Sequence, residues 1–195
     1  MKKNVSILLI VLFILAISNL TLFAEETKYD FRKTNWGMNE SQVKATEKTE
    51  IAEEYEDGFA YKDKVADLDC NVIFQFLENK LYIAGYMFTQ YHINLNFWID
   101  DFNKLKNILI KKYNKPVVDK TIWLDDMFKG DAQNYGTAVS AGQLVYYTEW
   151  DTPKTKIWIG LKGDNYQIDL RIIYESKELK EWSDKIIEKE TSKNL

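Results

Sequence analysis

The sequence predicts an α+β fold, an antiparallel sheet packed by helices on one face, and three features carry that reading. From Phe97 to Tyr113 the large apolar residues recur every three or four positions, the period of an amphipathic helix. Leu68 to Leu77 and Tyr166 to Tyr174 alternate apolar and polar residues with period two, as half-buried strands do. Most strand-like stretches are separated by turn-length gaps rather than helices, so neighbours pair as antiparallel hairpins and meanders.

The chain opens with Lys2-Lys3, an apolar run from Ile7 to Ile17, and Ala24 just before Glu25-Glu26. This is the layout of a secretory signal peptide spanning residues 1–24, which places residues 25–195 outside the cytoplasm, in a periplasm or secreted. An uncleaved anchor is the competing reading, because no charge occurs from Asn4 to Ala24 and about 20 uncharged residues can span a bilayer. Asn19 and Thr21 weaken that span, while Leu22 is bulkier than the small residue usual three positions before a cut. The only cysteine, Cys70, lies far from the signal, which argues against a lipid anchor.

Cleavage after Ala24 leaves 171 residues, enough for one compact domain. The signal holds two of the 26 basic residues and none of the 30 acidic ones, so the remainder carries a charge of minus 6. An acidic balance repels phosphate backbones and anionic lipid, so nucleic acid is a poor partner and membrane contact is expected only through an uncleaved signal. A single cysteine cannot form an internal disulfide, and stability must come from packing. Cys70 sits in the alternating series Leu68, Cys70, Val72, Phe74, Phe76, which puts the thiol on the inward face of a strand. His92 is the only histidine, which excludes multi-histidine zinc sites.

The elements follow in order. Trp36-Gly37-Met38-Asn39-Glu40-Ser41-Gln42-Val43 reads as a helix start, with Asn39 capping the first turn and Gln42 reaching back to the Asn39 amide. Met38 and Val43 flank it as a hydrophobic staple. This helix is expected to run to about Thr49, with Glu50 to Gly58 as an acidic connection. Phe59 to Lys62 predicts a short strand, Leu68 to Leu77 a stronger one, and Leu81 to Thr89 its hairpin partner across Glu78-Asn79-Lys80. The second helix carries Trp98, Phe102, Leu105, Leu109 and Tyr113 on one stripe and stops at Asn114-Lys115-Pro116. Thr121 to Leu124, Leu144 to Trp150, Thr155 to Leu161 and Tyr166 to Tyr174 predict further strands. A charged helix from about Lys177 to Lys189 closes the chain. The order is helix then strands, twice, over about residues 36–90 and 96–175. It suggests two tandem helix-plus-meander units sharing one sheet.

Gly37-Met38-Asn39-x-x-Gln42-Val43 resembles the Gly-Met-[Ser/Thr]-x-x-[Glu/Gln]-Val helix start of the BamE (SmpA/OmlA) outer-membrane assembly lipoproteins and of β-lactamase-inhibitor-protein-like tandem domains. Tyr113-Asn114-Lys115-Pro116 is similar to the Tyr-Gly-Lys-Pro helix stop of small exported proteins of unknown function. The matches cover about a dozen residues of capping chemistry. The chain departs from BamE in lacking a cysteine at the end of its signal. The resemblance implies a non-enzymatic module that binds another protein with a sheet face or edge, and it transfers no functional residue.

Three groups of residues are candidates for chemistry. Tyr82 and Tyr86 share one strand parity with Phe88, opposite Leu81, Ile83 and Met87; Tyr147 and Trp158 share the parity of Glu149 and Lys156. Together Tyr82, Tyr86, Tyr147 and Trp158 predict an aromatic sheet face opposite the helices, suited to protein recognition, or alternatively ordinary cross-strand pairs. An error of one residue in strand phase would exchange the faces. The long stretch from Asp125 through Asp131 to Gly142 is the second candidate, although its aspartates do not fit a calcium-loop spacing, and Gly136 to Gly142 reads as a short strand or turn. The third is the carboxylates Asp100, Asp101, Glu149 and Asp169; Glu149 and Asp169 are placed to pair with Lys156 and Arg171.

No nucleophile elbow, zinc-protease helix or dinucleotide fingerprint occurs. The reading is an exported, non-catalytic binding module for a protein partner in the cell envelope, with no cofactor or metal. A small carboxylate-dependent hydrolase or ligand-binding enzyme, and a β-lactamase-inhibitor-like protein, are the alternatives.

Overall fold

The computed structural model describes residues 28–193, residue 48 excepted, so the signal segment read over Met1 to Ala24 lies outside the described residues. In chain order the elements are helix α1 (Glu40–Lys44), strands β1 (Ile51–Tyr55), β2 (Gly58–Val65), β3 (Leu68–Leu77) and β4 (Lys80–Phe88), then helix α2 (Phe97–Tyr113) and strand β5 (Val118–Trp123). A 3-10 turn (Ala132–Asn134) leads into helix α3 (Tyr135–Ser140), strands β6 (Leu144–Asp151), β7 (Thr155–Asp164) and β8 (Gln167–Ser176), and helix α4 (Lys177–Lys193). All eight strands form one antiparallel sheet in the order β1-β2-β3-β4-β8-β7-β6-β5. The chain is therefore an α+β protein in which two four-stranded meanders meet at their last strands, with Gly85 of β4 opposite Ile173 of β8.

Local chemistry explains where the strands turn. Ala66-Asp67, Glu78-Asn79 and Asn165-Tyr166 are adjacent pairs with positive φ, the conformation that matches the right-handed twist of a two-residue hairpin. At the β6–β7 turn the Thr152 hydroxyl donates to the Thr155 carbonyl and accepts from the Thr155 amide, closing the loop around Pro153.

The capping box at α1 is complete: the Asn39 side chain accepts from the Gln42 amide at 2.9 Å, and the Gln42 side chain accepts from the Asn39 amide at 2.9 Å. The helix stops at Lys44 rather than Thr49, because the Thr46 amide and hydroxyl both bond back to the Val43 carbonyl. The acidic connection expected over Glu50 to Gly58 is largely strand β1. An edge strand keeps one side of its ladder in water, so it carries Glu53 and Glu54 without burying either. Asn39→Ala is expected to lower stability by about 1 kcal/mol, read as a lower urea midpoint.

The main core lies on one face of the sheet. Val43 of α1, Trp98, Phe102, Leu105 and Leu109 of α2, and Ala138 and Val139 of α3 join Phe59, Phe74, Ile159 and Leu170 in a single buried cluster. Helix α4 packs against β4 and β8. The α2 stripe is buried as its periodicity predicts, and Asn114 stops the helix at φ 64°. The stretch Gly136 to Gly142, expected as a strand or turn, is mostly helix α3. Its small residues allow close approach: a Cβ at Gly136 would lie 2.3 Å from the Leu95 carbonyl carbon, and one at Gly163 would lie 2.3 Å from the Val139 carbonyl oxygen.

Cys70 is 2 % exposed on the inward face of β3, and burial pushes its thiol up to about 11. At pH 8 only about one thiol in a thousand is then ionised. Iodoacetamide is expected to leave the native chain unmodified at pH 8 and to label it in urea; rapid native labelling would overturn the burial of the thiol.

Candidate functional site

The strand register sets the residues of the second sheet face, the one turned away from the main core, into three rows. The middle row runs Glu53, Ala60, Ile73, Gly85, Ile173, Trp158, Glu149 across β1, β2, β3, β4, β8, β7 and β6. Beside it lie Tyr55, Gly58, Gln75, Ile83, Glu175 and Lys156 on one flank, and Lys62, Asn71, Met87, Arg171, Gly160 and Tyr147 on the other. Ala60, Ile73 and Ile173 form a small buried cluster here, with Ile83, Met87 and Trp158 packed on it. Every member of that cluster comes from a strand. An open groove of about 580 Å³ crosses these rows from Tyr55 and Glu53 to Trp158.

Small residues lower the groove floor. A Cβ at Gly85 would sit 2.4 Å from the Ile172 carbonyl oxygen, so only glycine lets β4 and β8 pair this closely. A Cβ at Gly160 would meet the Trp158 ring at 3.3 Å, which shows that the indole lies against the glycine backbone of its own strand.

Of the four residues expected on this face, Tyr147 and Trp158 are there. Their ring centroids are 6.0 Å apart and both side chains are half-buried. Tyr147 Oη donates to Glu149, Trp158 Nε1 donates to Glu175 Oε1 at 3.0 Å, and Lys156 pairs with Glu149 at 3.1 Å. Burial first, and then the hydrogen bond to Glu149, raise the Tyr147 phenol above its ordinary value. These bonds lock both rings in one orientation.

Tyr86 is on the opposite face. It packs in the main core with its ring 5.1 Å from Phe31 and 6.4 Å from Tyr174, and burial drives its phenol up to about 12 against the pull of Arg32. Tyr82 is 9 % exposed, its phenol raised first by burial, with Asp57, Lys180, Asp184 and Glu175 as its charged surroundings. A bulge explains the correction at Tyr86. Gln75 faces Ile83 but Phe76 faces Leu81, so Tyr82 is an extra residue on β4. Leu81 therefore enters the main core with Ala84, Tyr86 and Phe88, while Ile83 and Met87 turn to the groove. The apolar parity Leu81, Ile83, Met87 looked continuous in the sequence and is broken by that one residue.

The groove's electrostatics are acidic. Glu53 accepts from Tyr55 Oη at 3.0 Å, Asp57 from Gln75 Nε2 at 3.1 Å, and Glu175 from Trp158 Nε1. All three donors are neutral. Of the bases on this face, Arg171 Nε donates to Asp169 Oδ1 at 2.9 Å and Lys156 holds Glu149, while the exposed Lys62 on the far flank does not reach any of the three carboxylates. Among the described residues, Glu53, Asp57 and Glu175 thus form no ion pair. The sequence reading missed Glu53, Tyr55 and Asp57 because it took β1 for a loop, although Asp57-Gly58 ahead of the apolar Phe59 stretch is a hairpin signal.

The other candidates are occupied locally. Asp125 accepts from the Met127 amide, Asp126 pairs with Lys129, and Asp131 accepts from Asn134, all within four residues. Among the described residues no group of three or more His, Cys, Asp or Glu side chains is placed to hold a metal ion. His92 Nε2 lies 2.7 Å from Asp101 Oδ2, with its ring edge-on to Phe97 and Trp98. Asp101 therefore orients the lone histidine. A smaller cavity of about 200 Å³ lies on the core side between Arg32, Tyr86, Tyr113 and Tyr174. Arg32 there is held by Glu47 and Asp63.

Comparison of the chain with protein-family models, with curated proteins and with solved structures finds no match.

Proposed function

We propose that the protein is an exported, non-catalytic binding module that recognises a protein or other component of the cell envelope through the sheet face bearing Tyr147 and Trp158. The observation that carries this reading is the groove itself, with the Tyr55 and Trp158 rings held by hydrogen bonds, Tyr147 beside Trp158, an apolar floor, and an open shape that admits a macromolecular surface. Rigid Tyr and Trp side chains give large contact area at low entropic loss, which suits recognition. The architecture behind it is two tandem helix-plus-meander units, α1 with β1–β4 and α2 with β5–β8, whose helices cover one face and leave the other to the partner. The resemblance of the helix start to those of BamE and β-lactamase-inhibitor-like domains points the same way.

Export through residues 1–24 is part of this proposal, and a mature N-terminus at Glu25 is the expected product. A protein isolated from the envelope that retains Met1 to Ala24 would instead be tethered by its signal segment.

The test is affinity capture from envelope extract with the chain from Glu25 onward, the wild type beside the double variant Tyr147→Ser/Trp158→Ser. A partner retained by the wild type and lost by a double variant that still unfolds cooperatively supports the face. If the double variant fails to fold, the exposed Lys120→Glu, opposite Tyr147 on β5, replaces it. Capture unchanged by a folded variant would overturn the assignment.

A further inference from the structure

From the groove's charge and length we infer that its partner is an extended polypeptide segment with two basic side chains six residues apart and apolar side chains between them. This rests on the reading of the same face as a binding surface and names the chemistry it selects.

Three observations combine. The floor is apolar, built by Ile73, Ile83, Ile173 and Met87 with the Trp158 ring beside them. The groove carries three carboxylates, Glu53, Asp57 and Glu175, each oriented by a neutral donor and none neutralised by a described base. Those carboxylates are spread along the groove: Glu53 lies on the edge strand β1, Asp57 in the β1–β2 turn where it reaches Gln75 of β3, and Glu175 on β8, four strands from β1. Four inter-strand spacings are about 19 Å.

An ion or small organic cation cannot meet both ends of a span that long. An extended chain advances about 3.3 Å per residue, so six residues cover about 20 Å and return the side chain to the same face. Lysine or arginine at those two positions meets Glu175 at one end and Glu53 at the other. The two intervening side chains of the same parity fall on the apolar floor. The basic group near Glu175 also comes against Trp158, where an aromatic face attracts a cation. A second copy of this chain is disfavoured by the same charge, because a two-fold contact through the groove would set Glu53, Asp57 and Glu175 of each copy against like charges.

The test uses three synthetic peptides of identical length. The first has two lysines six residues apart, two leucines on the same face between them, and serine elsewhere; the others carry serine or glutamate in place of the lysines. Each is titrated calorimetrically against the wild-type chain from Glu25 onward, against Glu53→Gln/Glu175→Gln, and against Trp158→Ser. The glutamine pair keeps the hydrogen-bond acceptors and removes only charge.

The expected result is that the lysine peptide binds, that serine or the glutamine pair each weaken it at least tenfold, and that raising the salt weakens it further. Equal binding of all three peptides, abolished by Trp158→Ser, would overturn the basic-segment inference while leaving the face as a binding surface. No binding of the lysine peptide would also overturn the inference, and the capture experiment then decides the face separately.

Discussion

Trp150→Ala is expected to remove about 3–5 kcal/mol of stability, the range for truncating a fully buried tryptophan. Trp150 on β6 is 1 % exposed and heads the largest fully buried side chains. Its ring belongs to the main core, and its Nε1 donates to the Asn114 carbonyl at 2.9 Å. Asn114 is the residue that ends α2 in the left-handed region, so the indole ties the sheet to the point where the helix releases the chain. The alanine variant opens a cavity and leaves that carbonyl without its donor, two losses that add. Trp150→Phe separates them, keeping most of the packing and losing the hydrogen bond. Urea unfolding is expected to show a lower midpoint in both variants, with phenylalanine between alanine and wild type. A loss below about 1 kcal/mol for Trp150→Ala would overturn the account of Trp150 as the tie between sheet and helix.

Gly85→Ala is expected to destabilise by about 1–3 kcal/mol or more, although it adds a single methyl group. The added carbon would lie 2.4 Å from the Ile172 carbonyl oxygen and 2.8 Å from Ile173 Cδ1. The first contact is with backbone and cannot be relieved by a rotamer change. β4 and β8 would have to separate, and their pairing is where the two meanders join. Gly85 also lies in the middle row of the groove, so the same substitution is expected to weaken any partner that uses the floor. Thermal unfolding indistinguishable from wild type would show that β4 and β8 yield at this point.

Much of the fold was legible because its signals are local and periodic. The α2 stripe, the β3 and β8 alternations, and the capping box at Asn39 each depend on neighbours within one or two turns, and the structure has all of them. The inward position of Cys70 follows from the same alternation. What was misread depended on pairing. β1 was hidden because an edge strand needs little apolar content, and α3 because its glycine and small residues answer to close backbone neighbours rather than to helix propensity.

The site divides along the same line. Tyr147 and Trp158 lie on strands with unbroken alternation, so their shared face could be read from the chain alone. Tyr86 could not, since a single extra residue at Tyr82 reverses the relation between Leu81 and the rest of β4, and nothing local marks a bulge there. By itself the sequence determined the α+β class, the antiparallel meanders, and the elements that bury a face, because periodicity encodes which side of an element meets water. Only the tertiary structure decided that β4 lies beside β8, that Tyr86 belongs to the core, and that three carboxylates from β1, its turn and β8 line one groove. Those facts depend on register between distant strands, and register is set by the summed packing of the whole sheet rather than by any segment of it.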